Sequence, residues 1–347
     1  MSHYPLFNSG QALDGIDLSN LDLSLLNLEG FEFRNVTFHS VRFNSSQFLN
    51  VNFINCFIDH VDFSEVIFDN CTFDKCSIVN STFTKSNFRK CGSIKSSYAE
   101  CDFINTIFFH SNFSSIEFTS SCLAGIRLDT SQFSHTLFTS SSFGSASFVD
   151  CLSDSLDLSN CSVSSLLFER GCIDNLKLPS TTDIENFFAY STNLFNPDFS
   201  SSHIQSVVID KSLFSNCNFS DSVFTVLKIH HSNLQNSNFS SAQISSAEVV
   251  FSNLSYSCFD CASMNGALLT DSSFTHSTFL KTQLNNAVFN SSLLNYTNFT
   301  NASVNASSWN YANVHAALGY NFDNFSGVRK TDLILRKAET FSFIIPS

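Results

Sequence analysis

A large apolar side chain recurs at every fifth residue of this chain, and that rule decides what it can fold into. From Leu13 the positions Leu18, Leu23, Leu28, Phe33, Phe38, Phe43, Phe48 and Phe53 follow at this spacing, and the phase persists to Leu178. Of its 34 positions only Ser93 and Ser153 are polar. A second run, shifted by one residue, extends from Leu194 to Val314, and all 25 of its positions are apolar. The two runs hold 29 of the 41 Phe residues, where chance placement at one position in five gives about 8.

A period of five fits neither the 3.6-residue helix nor the two-residue alternation of a strand. It fits a chain that turns a corner every five residues. Four corners close a square coil of about 20 residues, and successive coils stack through a backbone ladder spaced about 4.8 Å. Closure predicts that residues 20 apart form columns. Phe199, Phe219, Phe239, Phe259, Phe279 and Phe299 form an unbroken Phe column, beside a second column of Ile209, Ile229, Val249, Leu269, Phe289 and Trp309. A five-residue period alone does not sort Phe onto one face in four. These six Phe, with Phe33, Phe53 and Phe73 of the first run, are assigned to the core.

The residue two before each centre is constrained as well. In the second run it is Ala, Ser, Thr or Cys at 22 of 25 positions, the exceptions being Pro197, Val207 and Leu227. Each unit therefore has one large and one small inward side chain, with mostly Ser, Asn, Asp, Thr or Lys elsewhere. Eight of the twelve Cys (Cys56, Cys71, Cys76, Cys91, Cys101, Cys151, Cys161 and Cys217) fall at the small position, where they serve as small apolar fillers.

These units resemble the pentapeptide-repeat family, whose pattern A(D/N)LXX has Leu or Phe at its centre. The matching residues are Ile16-Asp-Leu-Ser-Asn20, Ser237-Asn-Phe-Ser-Ser241 and Thr297-Asn-Phe-Thr-Asn301. The resemblance spans residues 13–314. It implies an all-β fold, a right-handed quadrilateral parallel β-helix of about 14–15 coils. It does not imply one function, since members do unrelated things. The opening stretch Ala12-Leu-Asp-Gly-Ile-Asp-Leu-Ser-Asn-Leu-Asp-Leu23 is similar to the start of members from enteric bacteria, some of them effectors delivered into host cells by type III secretion.

Composition narrows the function classes. Gly and Pro number only 10 and 4, too few for a collagen-like or Pro-rich disordered chain or for a Gly-rich phosphate loop. Charged residues make up 14% and the net charge is −13, because Lys and Arg are scarce. A negative long-range field argues against direct binding to nucleic acid or an anionic membrane. No window approaches 18 consecutive apolar residues, so no membrane span is expected. The first seven residues lack the basic start and apolar core of a signal peptide. The expected locations are the bacterial cytoplasm or, by type III-like secretion without a cleaved signal, a host cell. Free thiols are expected in a long chain of that kind.

No catalytic, metal or cofactor site is expected. Cys258-Phe-Asp-Cys261 has the spacing of half a zinc site but no second pair, and the ten His are scattered, with His230 and His231 the only adjacent pair. Residues 1–12 are expected to cap the first array, residues 13–178. Residues 179–193 break the phase, because Leu178 to Ile184 is six steps. That break is read either as a bulge within one continuous rod or as a kink displaying Phe187, Phe188 and Tyr190 to a partner. Residues 194–318 form the second array. Residues 319–347 lose the period and are read as a cap, with self-association as the functional alternative.

The expected function is a non-enzymatic scaffold for protein–protein interaction, in the form of a secreted bacterial effector or otherwise. The alternative, which the family resemblance brings, is inhibition of a type II topoisomerase such as DNA gyrase by mimicry of duplex DNA. That mechanism needs regular negative charge along the rod. The first array holds 19 acidic and 10 basic residues, but the second only 6 and 3.

Overall fold

The structure, a computed structural model, describes residues 10–180, 183–325 and 327–329. The described chain is all-β, a right-handed parallel β-solenoid, and contains no α-helix. It divides into two compact units, Met1–Thr182 and Asp183–Ser347.

In the first unit the coil closes in twenty residues. Ala12–Asp14, Glu32–Arg34, Asn52–Ile54 and Thr72–Asp74 stack as parallel strands in a register of twenty, with Leu13 opposite Phe33 and Phe33 opposite Phe53. A second face repeats the arrangement from Asn27–Glu29 through Gln47–Leu49 and Ile67–Asp69, and a third from Thr37–His39 through Phe57–Asp59. Most of the strands are three residues long because the chain must turn before a fourth; Ser142–Val149 and Ser162–Glu169, at eight residues, run on through a corner.

The turns need a left-handed residue. Corner after corner places a non-glycine there, such as Asn35 (φ 52°), Asn50 (φ 56°), His60 (φ 54°) and Lys75 (φ 54°). Such a residue costs roughly 1–2 kcal/mol in isolation. The ladder offsets this cost, since each corner amide bonds the next coil: Asn50 N–H donates to Asp69 C=O at 2.9 Å, and His60 N–H to Val79 C=O at 3.2 Å. Most corners are made without Gly, with Gly15, Gly30, Gly125 and Gly266 among the exceptions.

Every centre of both runs is buried except Phe138, which is half-buried. Within the Phe column, Phe219 and Phe239 lie 4.6 Å apart at 14°, and Phe239 and Phe259 4.9 Å apart at 6°. The polar centre Ser93 has a specific reason. Its hydroxyl meets the buried Tyr98 hydroxyl at 2.9 Å, so two polar atoms satisfy each other inside the core.

The small position does more than save space. In the second unit Thr192 N–H donates to Ser212 Oγ at 3.1 Å, Ser212 N–H to Ser232 Oγ at 3.1 Å, and Ser232 N–H to Ser252 Oγ at 3.2 Å. The file continues through Ser272 to Ser292. Each hydroxyl in turn donates to an inward carbonyl, as Ser232 Oγ does to Ile209 C=O at 3.4 Å. Cysteine thiols take the same acceptor: Cys56 Sγ donates to Phe33 C=O at 3.2 Å and Cys76 Sγ to Phe53 C=O at 3.4 Å. Buried amides that the ladder leaves without a partner are satisfied this way.

One corner is straightened. Asp183–Tyr190, His203–Asp210, Val223–His230 and Gln243–Val250 are eight-residue strands running across two faces, through Asn186, Ser206, Val226 and Ser246. Turning resumes at Gly266 (φ 73°). Phe187, Val207 and Leu227, large residues at the small position, sit just inside this corner and are all buried. Two of the three sequence exceptions, Val207 and Leu227, therefore mark where the square opens and needs filling.

Candidate interaction surface and side-chain clusters

Of the three residues expected to face a partner, Phe187 does not. It is wholly buried and packs edge-to-face on Phe199, centroids 4.9 Å apart, because it belongs to the column of Val207 and Leu227. Phe188 is half-buried and Tyr190 exposed, their rings 6.3 Å apart. The expected caps, residues 1–12 and 319–347, fall largely outside the described residues.

The most developed surface lies on the second unit, where left-handed corners carry aromatic rings. One corner column runs Lys211, His231, Phe251, Asp271 and Ser291. His231 and Phe251 stack at 5.4 Å and 18°, and Phe251 is 58% exposed. The next corner carries Tyr256, His276 and Tyr296, stacked at 5.0 Å and 6° and then 4.7 Å and 3°. The first corner column continues after Ser291 to Tyr311, which is 62% exposed, with the Arg329 guanidinium 5.5 Å above its ring. A ring 20 residues from another rides the same ladder spacing as the core Phe, so stacking outside follows from register inside.

The face between these two corners forms the floor of a shallow open groove of about 790 Å³, lined by Lys211, Leu213, His231, Asn253, Asp271 and Leu293 among others. The Asn253 side-chain oxygen accepts from Ser255 N–H at 3.1 Å and from its hydroxyl at 2.7 Å. Asn233 does likewise for Gln235 N–H at 3.2 Å. The donors that this floor offers are thus carboxamide nitrogens. The strip therefore presents aromatic edges, amide donors, leucine side chains and one charge of each sign.

The first unit carries most of the charge, and much of it is paired. Arg34 meets Glu32, Arg127 meets Asp129 at 2.8 Å, Arg170 meets Asp150 at 2.9 Å, and Lys177 meets Asp157 at 3.3 Å. A continuous negative track is absent from this surface among the described residues. Carboxylate-to-cation pairs break it at each of these coils.

Among the described residues one group of three has metal-ligating atoms that converge: His39, Asp59 and His60. Burial pushes the Asp59 carboxyl up, but hydrogen bonds from Asn80, His39 and His60 together outweigh it and hold it below its ordinary 3.8. Spacing alone could have found this group, because Asp59 is 20 residues after His39 and next to His60. All twelve Cys carry free thiols, and the eight at the small position are buried. Burial pushes the Cys101 thiol up to about 12 and those of Cys151 and Cys161 to about 11. For Cys76 and Cys91 the adjacent thiols of Cys56 and Cys71, then burial, push it further in the same direction.

Square twenty-residue coils, a Phe-filled bore and left-handed corners define a pentapeptide-repeat solenoid. The family model for pentapeptide repeats matches residues 46–84 with eight copies. Among solved structures, HetL from the cyanobacterium Nostoc, a pentapeptide-repeat protein involved in heterocyst differentiation regulation, is 14% identical. That alignment covers 90% of each chain, with a TM-score of 0.20. Rfr23 from the cyanobacterium Cyanothece is 10% identical over 40% of this chain and 91% of its own, with a TM-score of 0.24. QnrB1, a plasmid-mediated fluoroquinolone resistance protein, is 17% identical over 65% of this chain and 98% of its own, with a TM-score of 0.27. No curated protein matches significantly. Residues 46–84 thus carry the pentapeptide repeat, and the described chain has the parallel β-solenoid fold that such repeats build. The finer resemblance to secreted enteric members draws no support from these comparisons. Among the described residues no helix is long and apolar enough to cross a membrane.

Proposed function

We propose that this chain is a non-enzymatic scaffold that binds a protein partner along the aromatic-edged groove of its second unit. The observation that carries the reading is the pair of stacked corner columns, His231–Phe251 and Tyr256–His276–Tyr296, flanking one low-charge face. Solvated corners elsewhere use Ser, Asn or Lys, as at Ser241, Asn236 and Lys281. Large rings held exposed are what a desolvating protein contact uses, since aromatic side chains dominate interface hot spots.

The charge pattern favours this reading over topoisomerase inhibition by DNA mimicry. The acidic first unit is interrupted by its own Arg and Lys partners, and the second is nearly neutral. Mimicry of a duplex needs regular negative charge.

Comparative capture tests the proposal. Wild-type chain and the triple variant Phe251→Asn, Tyr256→Asn, Tyr296→Asn are used as baits in bacterial and host lysates. Asn already occupies equivalent corners, so the variant is expected to keep its melting temperature. A protein retained by the wild type and lost from the triple variant supports the groove. Identical captures by both baits, or inhibition of gyrase supercoiling by micromolar wild type, refute it.

A further inference from the structure

We propose that His39, Asp59 and His60, on a corner of the first unit, form a binding site for a divalent transition metal of the zinc class. The three side chains come from two successive coils. His39 ends the strand Thr37–His39, and Asp59 stands directly opposite it in the register of the parallel pair. His60 is the corner residue that follows, fixed in the left-handed region and anchored by its amide to Val79 C=O. The ladder sets all three Cα positions, so the donors do not depend on a loop.

The donor atoms converge. His39 Nδ1 lies 2.9 Å from one Asp59 oxygen and His60 Nδ1 lies 2.6 Å from the other. All three ligating atoms fall within 4.8 Å of one another. Two imidazole nitrogens and a carboxylate oxygen are a usual ligand set for zinc, with bonds of about 2.0–2.1 Å and tetrahedral ligand–ligand edges of about 3.3 Å. Small side-chain rotations take the observed separations to that edge. The two rings are 5.7 Å apart at 66°, so they approach the carboxylate from different directions rather than stacking on each other.

The surroundings distinguish this trio from the Lys and Arg ion pairs of the unit, and a second histidine distinguishes it from the single pair His135–Asp154. Asp74, Asp129, Asp150 and Asp157 are paired with Lys or Arg, which cannot bind a metal. Asp59 is paired with two histidines. Asn80, one coil further, donates from Nδ2 to Asp59 at 3.0 Å and orients the carboxylate, the role outer partners play at metal sites. Without metal, each Nδ1 carries the proton it shares with Asp59. On binding, that proton must leave Nδ1, and the ring N–H of each bound imidazole is then at Nε2. The His39 and His60 side chains are half exposed, which leaves the remaining coordination positions to water or to an external ligand.

Metal titration of the reduced full chain tests the site. Co²⁺ is the optical probe, because ligand-field bands report nitrogen and oxygen ligands while thiolate ligands add an intense near-ultraviolet charge-transfer band. The expected result is one equivalent of Co²⁺ without the thiolate band, displaced by Zn²⁺. Binding should weaken by about tenfold or more in His39→Ala, His60→Asn and Asp59→Asn. It should stay unchanged in Cys258→Ser, Cys261→Ser. Asn is a common corner residue in this chain, so His60→Asn keeps the fold. The proposal is overturned if the wild type takes up no Co²⁺ at millimolar concentration, if the histidine variants bind it as the wild type does, or if the spectrum is that of a thiolate site abolished by the cysteine substitutions.

Discussion

Phe259 and Phe279 lie 4.6 Å apart, centroid to centroid, with their ring planes 4° from parallel. Phe239 covers the other face of Phe259 at 4.9 Å and 6°. A ring sandwiched in this way cannot be replaced by relaxation of one neighbour, because coil spacing is fixed by the ladder. Phe259→Ala should therefore cost about 3–5 kcal/mol through the cavity it leaves. Denaturant unfolding of the variant checks this, and an unchanged midpoint would falsify the packing role.

Ser232 separates two readings of the small inward position. As a mere filler it would tolerate Ala. As the acceptor for Ser212 N–H, 3.1 Å away, it would not. Ser232→Ala should destabilise by about 1–3 kcal/mol, the cost of a buried amide left unsatisfied. Ser232→Cys should cost less, since thiols fill equivalent positions in the first unit. The same unfolding experiment ranks the two variants.

Thiol chemistry should divide the cysteines sharply. Burial raises Cys101, Cys151, Cys161 and Cys217 above the ordinary thiol range, and the thiolate is the reactive form. At about pH 8, rapid labelling is expected only at Cys122, Cys172, Cys258 and Cys261, the four that are not buried. Mass mapping after a short pulse of iodoacetamide reads this directly. Fast modification of Cys101 or Cys217 in the folded protein would contradict it.

Acid should weaken the first unit in a defined window. Burial pushes the carboxyls of Asp129 and Asp157 up. The Arg127 guanidinium and Thr130 hydroxyl for Asp129, and Ser159 with Lys177 for Asp157, outweigh it and hold both below 3.8. A carboxyl with a depressed folded value stabilises fully above its unfolded value, and that contribution is lost as pH falls through the folded value. The melting temperature should be flat down to about pH 5 and fall below about pH 4. Asp129→Asn, Asp157→Asn should start lower at neutral pH and fall less steeply; an equal slope would dissociate these groups from acid unfolding.

Much of this was legible in the sequence because the fold is one rule repeated. Phe at every fifth residue located the interior, and Phe at every twentieth closed the coil. Phe187 escaped because it lies where the five-residue phase is interrupted. Its distance of 20 residues from Val207, and 40 from Leu227, already placed it inside. The Ser file was hidden for a different reason. Composition shows that Ser is small, but only the backbone shows which amide needs an acceptor. The corner aromatics and the His39–Asp59–His60 group are legible as columns. How their side chains turn is decided by rotamers and by neighbours such as Asn80, which no periodicity reports.

The register of twenty also bears on how the chain reaches this state. Ladder partners such as Phe33 and Phe53, or Ile204 and Phe224, are never further apart along the chain than one lap of the coil. Twenty residues in 347 is a relative separation of about 0.06, smaller than the roughly 0.16–0.22 of other all-β domains and close to that of helical bundles. Each new lap closes a short loop onto a template already in place. A wholly β chain can then wind itself up from any finished coil at a pace normally reserved for helices, and its unpaired edge is never more than one lap wide.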